Sequence, residues 1–302
     1  MVLSLGLSLK PNHRHKSEAL SASLSNFRSE MSNLRNQLAL KSESEFLSLP
    51  WFLRCYEMLN MSNKAFAKLV VDIDYPMSKW GDAATQEYLD YTFNLMNLLN
   101  SISSSLSHLS QAKLELSHAL SLVKNSPSSA VQLLKKIQLK GPRSNFKQEF
   151  LAKSDETGCS EKECVILQAL LVTKRTGLWV LGLVLSGLCS DIKPYLEILK
   201  SVALSDCSLP EELESRVCKL IVEKRGVMEE LRQLINNATA RFAEMKPGER
   251  WNDAAEKELK TRLELLENLI QGIDKQTNYM FSEFLAARDK LLDGFRHMLR
   301  KP

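Results

Sequence analysis

Between Leu259 and Leu291 the chain repeats a step of four and then three: Leu259, Leu263, Leu266, Ile270, Ile273, Thr277, Met280, Phe284, Ala287 and Leu291. A strand cannot use this spacing, because its side chains alternate faces with a period of two. Kept without a slip for more than four heptads, it describes a helix whose stripe is buried against another helix, as in a coiled-coil seam. A helix over 252–299 would be ~70 Å long at ~1.5 Å per residue. Upstream, Leu213, Val217, Leu220, Val227, Leu231, Leu234 and Ala238 keep a similar spacing over 209–245, interrupted at Lys224, and Lys246-Pro247-Gly248 is a turn. The expectation is an antiparallel helical hairpin over 209–299. Leu259, Leu263, Leu266, Ile270, Ile273, Met280, Phe284 and Leu291 are its candidate interaction seam, unless the helix from Leu213 to Met245 covers them.

The rest of the chain points the same way. Eleven Gly and nine Pro in 302 residues leave few turns, so the helices must be long. Helices are expected over about 17–47, 51–71, 83–124 and 129–139, and again from Ser160. Pro50 suits the start of the second, and Asp82 is a reasonable N-cap for the third. Asp72 to Trp80 reads as a connector, and no strand pattern of any length appears. The fold class is therefore all-α, an elongated bundle of long amphipathic helices. Residues 1–15 are expected as a disordered tail, 16–140 as an N-terminal helical region, 141–160 as a linker or mobile loop, and 161–302 as a C-terminal helical region.

The segment 176–190 carries no charge over its 15 residues. A membrane-spanning helix needs about 20, and Lys174-Arg175 would have to lie inside the bilayer for the apolar run Val165–Val172 to extend it. Leu178, Trp179, Leu181, Leu183, Val184 and Leu185 are thus the candidate core or membrane segment. A core helix buried on all sides, reversible membrane association and a true span are the three readings. In the first, Gly177, Gly182 and Gly187 would permit close helix approach.

Chemistry-bearing motifs are absent. There is no Gly-rich phosphate loop and no nucleophile elbow. Cys159 and Cys164 form a lone pair, short of the four ligands of a closed zinc site. His108 and His118, ten residues apart on one helix, do not share a face. Asp72 and Asp74 beside Pro76 suit a turn better than an acid–base pair. The six cysteines are scattered and read as reduced core thiols. No catalytic, cofactor-binding or metal-ligating residue is assigned. A net charge of +4 does not call for nucleic acid as a partner. Arg14-His15-Lys16-Ser17 has the form that basophilic kinases use, a short and common pattern.

The block from Phe46 to Val123 resembles the plant BYPASS family. Leu47-Ser48-Leu49-Pro50-Trp51, Asp72-Ile73-Asp74-Tyr75-Pro76, Trp80, Tyr88-Leu89-Asp90 and the run Leu95–Leu99 carry the likeness through their order and spacing. The chain lacks the Pro/Phe-rich opening of close members. The resemblance implies a non-enzymatic plant regulator of root and shoot development, with related proteins tied to stress responses and membrane trafficking partners. A regulatory adaptor working through protein partners is the expected function, and a membrane-associated trafficking factor is the alternative. The expected location is the cytoplasm, with membrane association open. The Ser-rich, basic, acid-poor stretch up to Phe27 makes the chloroplast the alternative.

Overall fold

A computed structural model describes residues 12–38, 45–139, 159–202, 211–223, 226–246 and 253–299. Among them the regular elements are helical: α1 Asn12–Gln37, α2 Leu49–Asp72, α3 Asp82–Leu122, α4 Pro127–Lys136, α5 Glu161–Cys189, α6 Lys193–Val202, α7 Glu211–Val222, α8 Val227–Glu244 and α9 Asp253–Leu299. The 3-10 turn Met77–Lys79 lies in the connector between α2 and α3. The all-α, elongated bundle that the sequence predicts is the fold observed. Helix α1 begins at Asn12, inside the stretch read as a tail. The expected loop lies largely outside the described residues.

Local chemistry explains the helix ends. Ser48 caps α2 by accepting from Trp51 N at 3.4 Å, with Pro50 in the first turn, where a missing N–H costs no helix bond. Gly81, not Asp82, is the N-cap of α3, and Asp82 places its charge in the first turn. Ser160 caps α5 by accepting from Glu163 N at 3.2 Å. The helix ends at Ser190, a residue with φ of 54°. That serine also serves α8. The N-cap of α8 is Gly226, which has no side chain to offer, and Glu229 N donates instead to Ser190 Oγ at 2.9 Å.

Helix α5 is the central strut, packed against α1, α2, α3, α6 and α8. Its three glycines face three different neighbours. A Cβ on Gly177 would meet Leu95 at 3.1 Å, one on Gly182 would meet Ile198 at 2.7 Å, and one on Gly187 would meet Leu47 at 2.3 Å. The glycines therefore let those neighbours approach the α5 backbone.

The seam of α9 is buried, but its main partners are α3 and α2. Helix α8 adjoins only the start of α9, where Leu234 and Ala238 share a cleft with Leu259 and Arg262. Length explains this. Eighteen residues of α8 span ~27 Å, whereas the 41 residues of α3 span ~62 Å and match the ~70 Å of α9. The single helix expected over 209–245 is two helices, because Gly226 breaks it between α7 and α8.

Candidate functional site

The candidate seam and the candidate membrane segment both lie in the core. Leu259, Leu263, Leu266, Ile270, Ile273, Met280, Phe284 and Leu291 are all buried, closed off by the chain's own helices, so they present no free docking surface. Leu178, Trp179, Leu181, Leu183, Val184 and Leu185 are likewise enclosed, none of them more than 3% exposed. Among the described helices α5 alone is long and apolar enough to cross a membrane, with a mean hydropathy of 1.4 over its best window, and 78% of that window is buried.

Several buried polar groups are held in pairs, although Trp51 Nε1 and Thr85 Oγ1 are buried without a hydrogen-bond partner. Lys174, between the two apolar runs of α5, places Nζ 2.7 Å from Glu87 Oε1 of α3. Tyr91 Oη donates to Asn63 Oδ1 at 2.7 Å, and Trp179 Nε1 donates to Tyr195 Oη at 3.2 Å. Tyr56 Oη lies 2.6 Å from Thr277 Oγ1, which itself donates to the Ile273 carbonyl at 2.9 Å. One hydroxyl carries one proton, so Tyr56 is the donor in this pair. Arg288 of α9 donates to the Leu89 carbonyl and to Thr92 Oγ1, tying the far end of α9 to α3.

These contacts leave few groups fit for reaction. Burial raises the Cys55 thiol far above its usual range and pushes Cys189 up to about 12, so neither is a thiolate at neutral pH. Burial likewise raises the Tyr56 and Tyr91 phenols, and pushes Tyr88 up to about 12. Asp72, the last residue of α2, and Asp74 on the connector are exposed, as are His108 and His118 on α3. No group of three or more His, Cys, Asp or Glu among the described residues is arranged to hold a metal ion.

Two open clefts run between α3 and α9. One, of about 470 Å³, is lined by Lys113, Lys124, Glu256, Lys260 and Glu267; the other, of about 500 Å³, by Ser103, Ser107, Ser110, Gln271 and Asp274. In the first, Lys113 pairs with Glu267, and Lys124 with Glu256 at 3.4 Å, so opposite charges satisfy each other.

Of the residues that carry the family likeness, Trp80, Tyr88 and the run Asp72–Pro76 meet at the connector, whereas Leu47–Trp51 lie at the other end of α2. Trp80 packs edge-on to Phe66 at 6.1 Å and to Tyr88 at 5.7 Å, Tyr88 packs on Tyr91, and Tyr91 meets Phe284 of α9. Trp80 Nε1 donates to the Tyr75 carbonyl at 3.1 Å, folding the connector onto the cluster. Lys162 Nζ of α5 donates to the Asp74 carbonyl at 2.9 Å, and the Glu163 carboxylate lies against Gly81.

Cys159 and Cys164 flank that first turn of α5 and are joined by a disulfide, with their Cα atoms 6.1 Å apart. This corrects the reading of six reduced thiols. The capped turn brings together two cysteines that a linear scan sees only as a lone pair.

No family model matches the chain, and no solved structure matches it. It is 26% identical over 295 residues to the chloroplastic protein BPS1 of Arabidopsis thaliana, covering 91% of this chain and 84% of that protein. It is 28% identical over 110 residues to UPF0496 protein 4 of Oryza sativa, in both the indica and japonica subspecies. That second match covers 36% of this chain and 24% of the rice proteins. The likeness to the BYPASS family, carried in the sequence by the block 46–123, thus extends through nearly the whole chain.

Proposed function

We propose that this chain is a plant developmental regulator that acts through protein partners and catalyses no reaction. The observation that carries the reading is the 26% identity to BPS1 across 91% of the chain. The pairs Lys174–Glu87, Tyr91–Asn63, Trp179–Tyr195 and Tyr56–Thr277 support it, since they fix helix positions and do not converge on a cleft. Adaptor contacts in root and shoot development or stress signalling would then use exposed helix faces, because the α9 seam is consumed within the fold. Plants lacking the protein should show altered root or shoot growth, and proximity labelling from the complementing fusion should return a reproducible set of proteins. Normal growth together with no reproducible labelled set would sink the reading.

The chloroplast is the location that the relative's name supports, and the Ser-rich, basic N-terminal sequence agrees with it. A fluorescent fusion tests it directly, and exclusion from plastids returns the cytoplasm. A membrane-associated trafficking role through 176–190 is the second reading, favoured by the length and apolarity of α5. It requires α5 to leave the helices that enclose it. Retention in the pellet after a carbonate wash would support it, and complete release would remove it.

A further inference from the structure

We propose that the Cys159–Cys164 disulfide is a reducible staple that sets how firmly the first turn of α5 holds the connector between α2 and α3. The ring closed by the two sulfurs encloses Ser160, Glu161, Lys162 and Glu163. Two of these residues reach opposite ends of the connector. Lys162 Nζ donates to the Asp74 carbonyl at 2.9 Å, near its start. The Glu163 carboxylate lies against Gly81, the N-cap of α3, where the helix dipole favours a negative charge. Ser160 caps the same turn from within the ring.

The first turn of a helix is its weakest, because its N–H groups lack intrahelical partners. A covalent ring around that turn restrains both grips at once. Opening it lets the turn fray and weakens the hold on the connector together with the edge of the Trp80 cluster.

The chemistry is directed to this pair. Cys159 and Cys164 are part-exposed and Ser160 between them is exposed, so a reductant can approach. Cys55 and Cys189 are buried, with their thiols held protonated. The reductant is a dithiol. One of its thiolates attacks a sulfur of the staple, breaking the S–S bond and forming a mixed disulfide, while the other cysteine leaves as a thiolate and takes a proton. The second thiol of the reductant, losing its proton, displaces the remaining cysteine. The reductant departs as a disulfide, and the protein has gained two electrons and two protons.

The test is hydrogen exchange on the full chain, air-oxidised and then treated with dithiothreitol, with peptide mapping of alkylated cysteines. The amides to follow are those of Asp74, Tyr75, Lys79 and Trp80, each held by a turn hydrogen bond. Reduction is expected to speed their exchange about tenfold while the middle of α5 near Val180 stays unchanged. The double variant Cys159→Ser/Cys164→Ser should exchange at the reduced rate with or without dithiothreitol. Free Cys159 and Cys164 in the air-oxidised native protein would overturn the proposal, as would unchanged connector exchange on reduction of a confirmed disulfide.

Discussion

Lys174 and Glu87 form an ion pair, Nζ to Oε1 at 2.7 Å, halfway along the most apolar helix of the molecule. The lysine side chain is 2% exposed and the glutamate 14%. Lys174→Met would strand the carboxylate beside an apolar wall. The expected loss is about 3 kcal/mol, because an unpaired buried charge costs more than the pair contributes. Adding Glu87→Gln should recover much of it. Urea unfolding of the two single variants and the double variant checks this. Equal, additive losses would mean that the pair is solvated.

Tyr56 and Thr277 bridge α2 and α9 inside the seam. Thr277→Val keeps the shape but leaves the Tyr56 hydroxyl without its acceptor, at a cost of about 1–3 kcal/mol. Tyr56→Phe on the same background should restore most of the stability. A double-mutant cycle followed by thermal unfolding measures the coupling, and a coupling near zero would contradict the buried hydrogen bond.

Ser190 ends one helix and caps another. Ser190→Ala removes the acceptor for Glu229 N and should destabilise the protein by about 1 kcal/mol, the usual worth of an N-cap. Gly226→Ala should cost more, because its Cβ would stand 2.6 Å from the Ser190 Cα, which is backbone and cannot rotate away. Circular-dichroism melts of both variants rank the two, and a harmless Gly226→Ala would refute the close approach.

Acid should loosen the α3–α9 contact. Lys113 bonded to Glu267 holds that carboxyl below the usual carboxylate range, and Lys260, with help from Lys124, does the same for Glu256. A depressed folded pKa contributes stability that is present above the unfolded value of about 4.3 and is lost as pH falls through the folded value. The urea midpoint of the wild-type protein should therefore drop below pH ~4, with a shallower drop in Lys113→Met. High salt should reduce the difference, because Glu267 is half-exposed. Identical acid profiles for the two proteins would remove this pair from the account.

Helix positions and buried stripes were legible because period and breakers are local. Pro50 and the connector Asp72–Trp80 mark the boundaries of α2 and α3, and the α9 stripe is buried at the positions its spacing predicts except the part-buried Ala287. The choice of partner was not legible. An amphipathic stripe states that it will be covered and does not state by what; the Lys246-Pro247-Gly248 turn pointed to α8, while matching length favoured α3. The α5 segment was ambiguous for a related reason, since a core and a bilayer both accept Leu and Val. Within this fold Lys174 ties α5 to the core through Glu87, a partner 87 residues away in sequence on another element, beyond any window that hydropathy reads. The disulfide escaped because a spacing of five becomes a contact only once Ser160 has capped the turn.

The order of the chain makes α5 a late arrival. Helices α1, α2 and α3 each pack on it, yet all three leave the ribosome before it is made. At a synthesis rate of ~5–20 residues per second, their Leu-rich faces wait many seconds for the strut that covers them. A truncation before Glu161 should therefore yield an aggregating fragment, not a smaller folded domain.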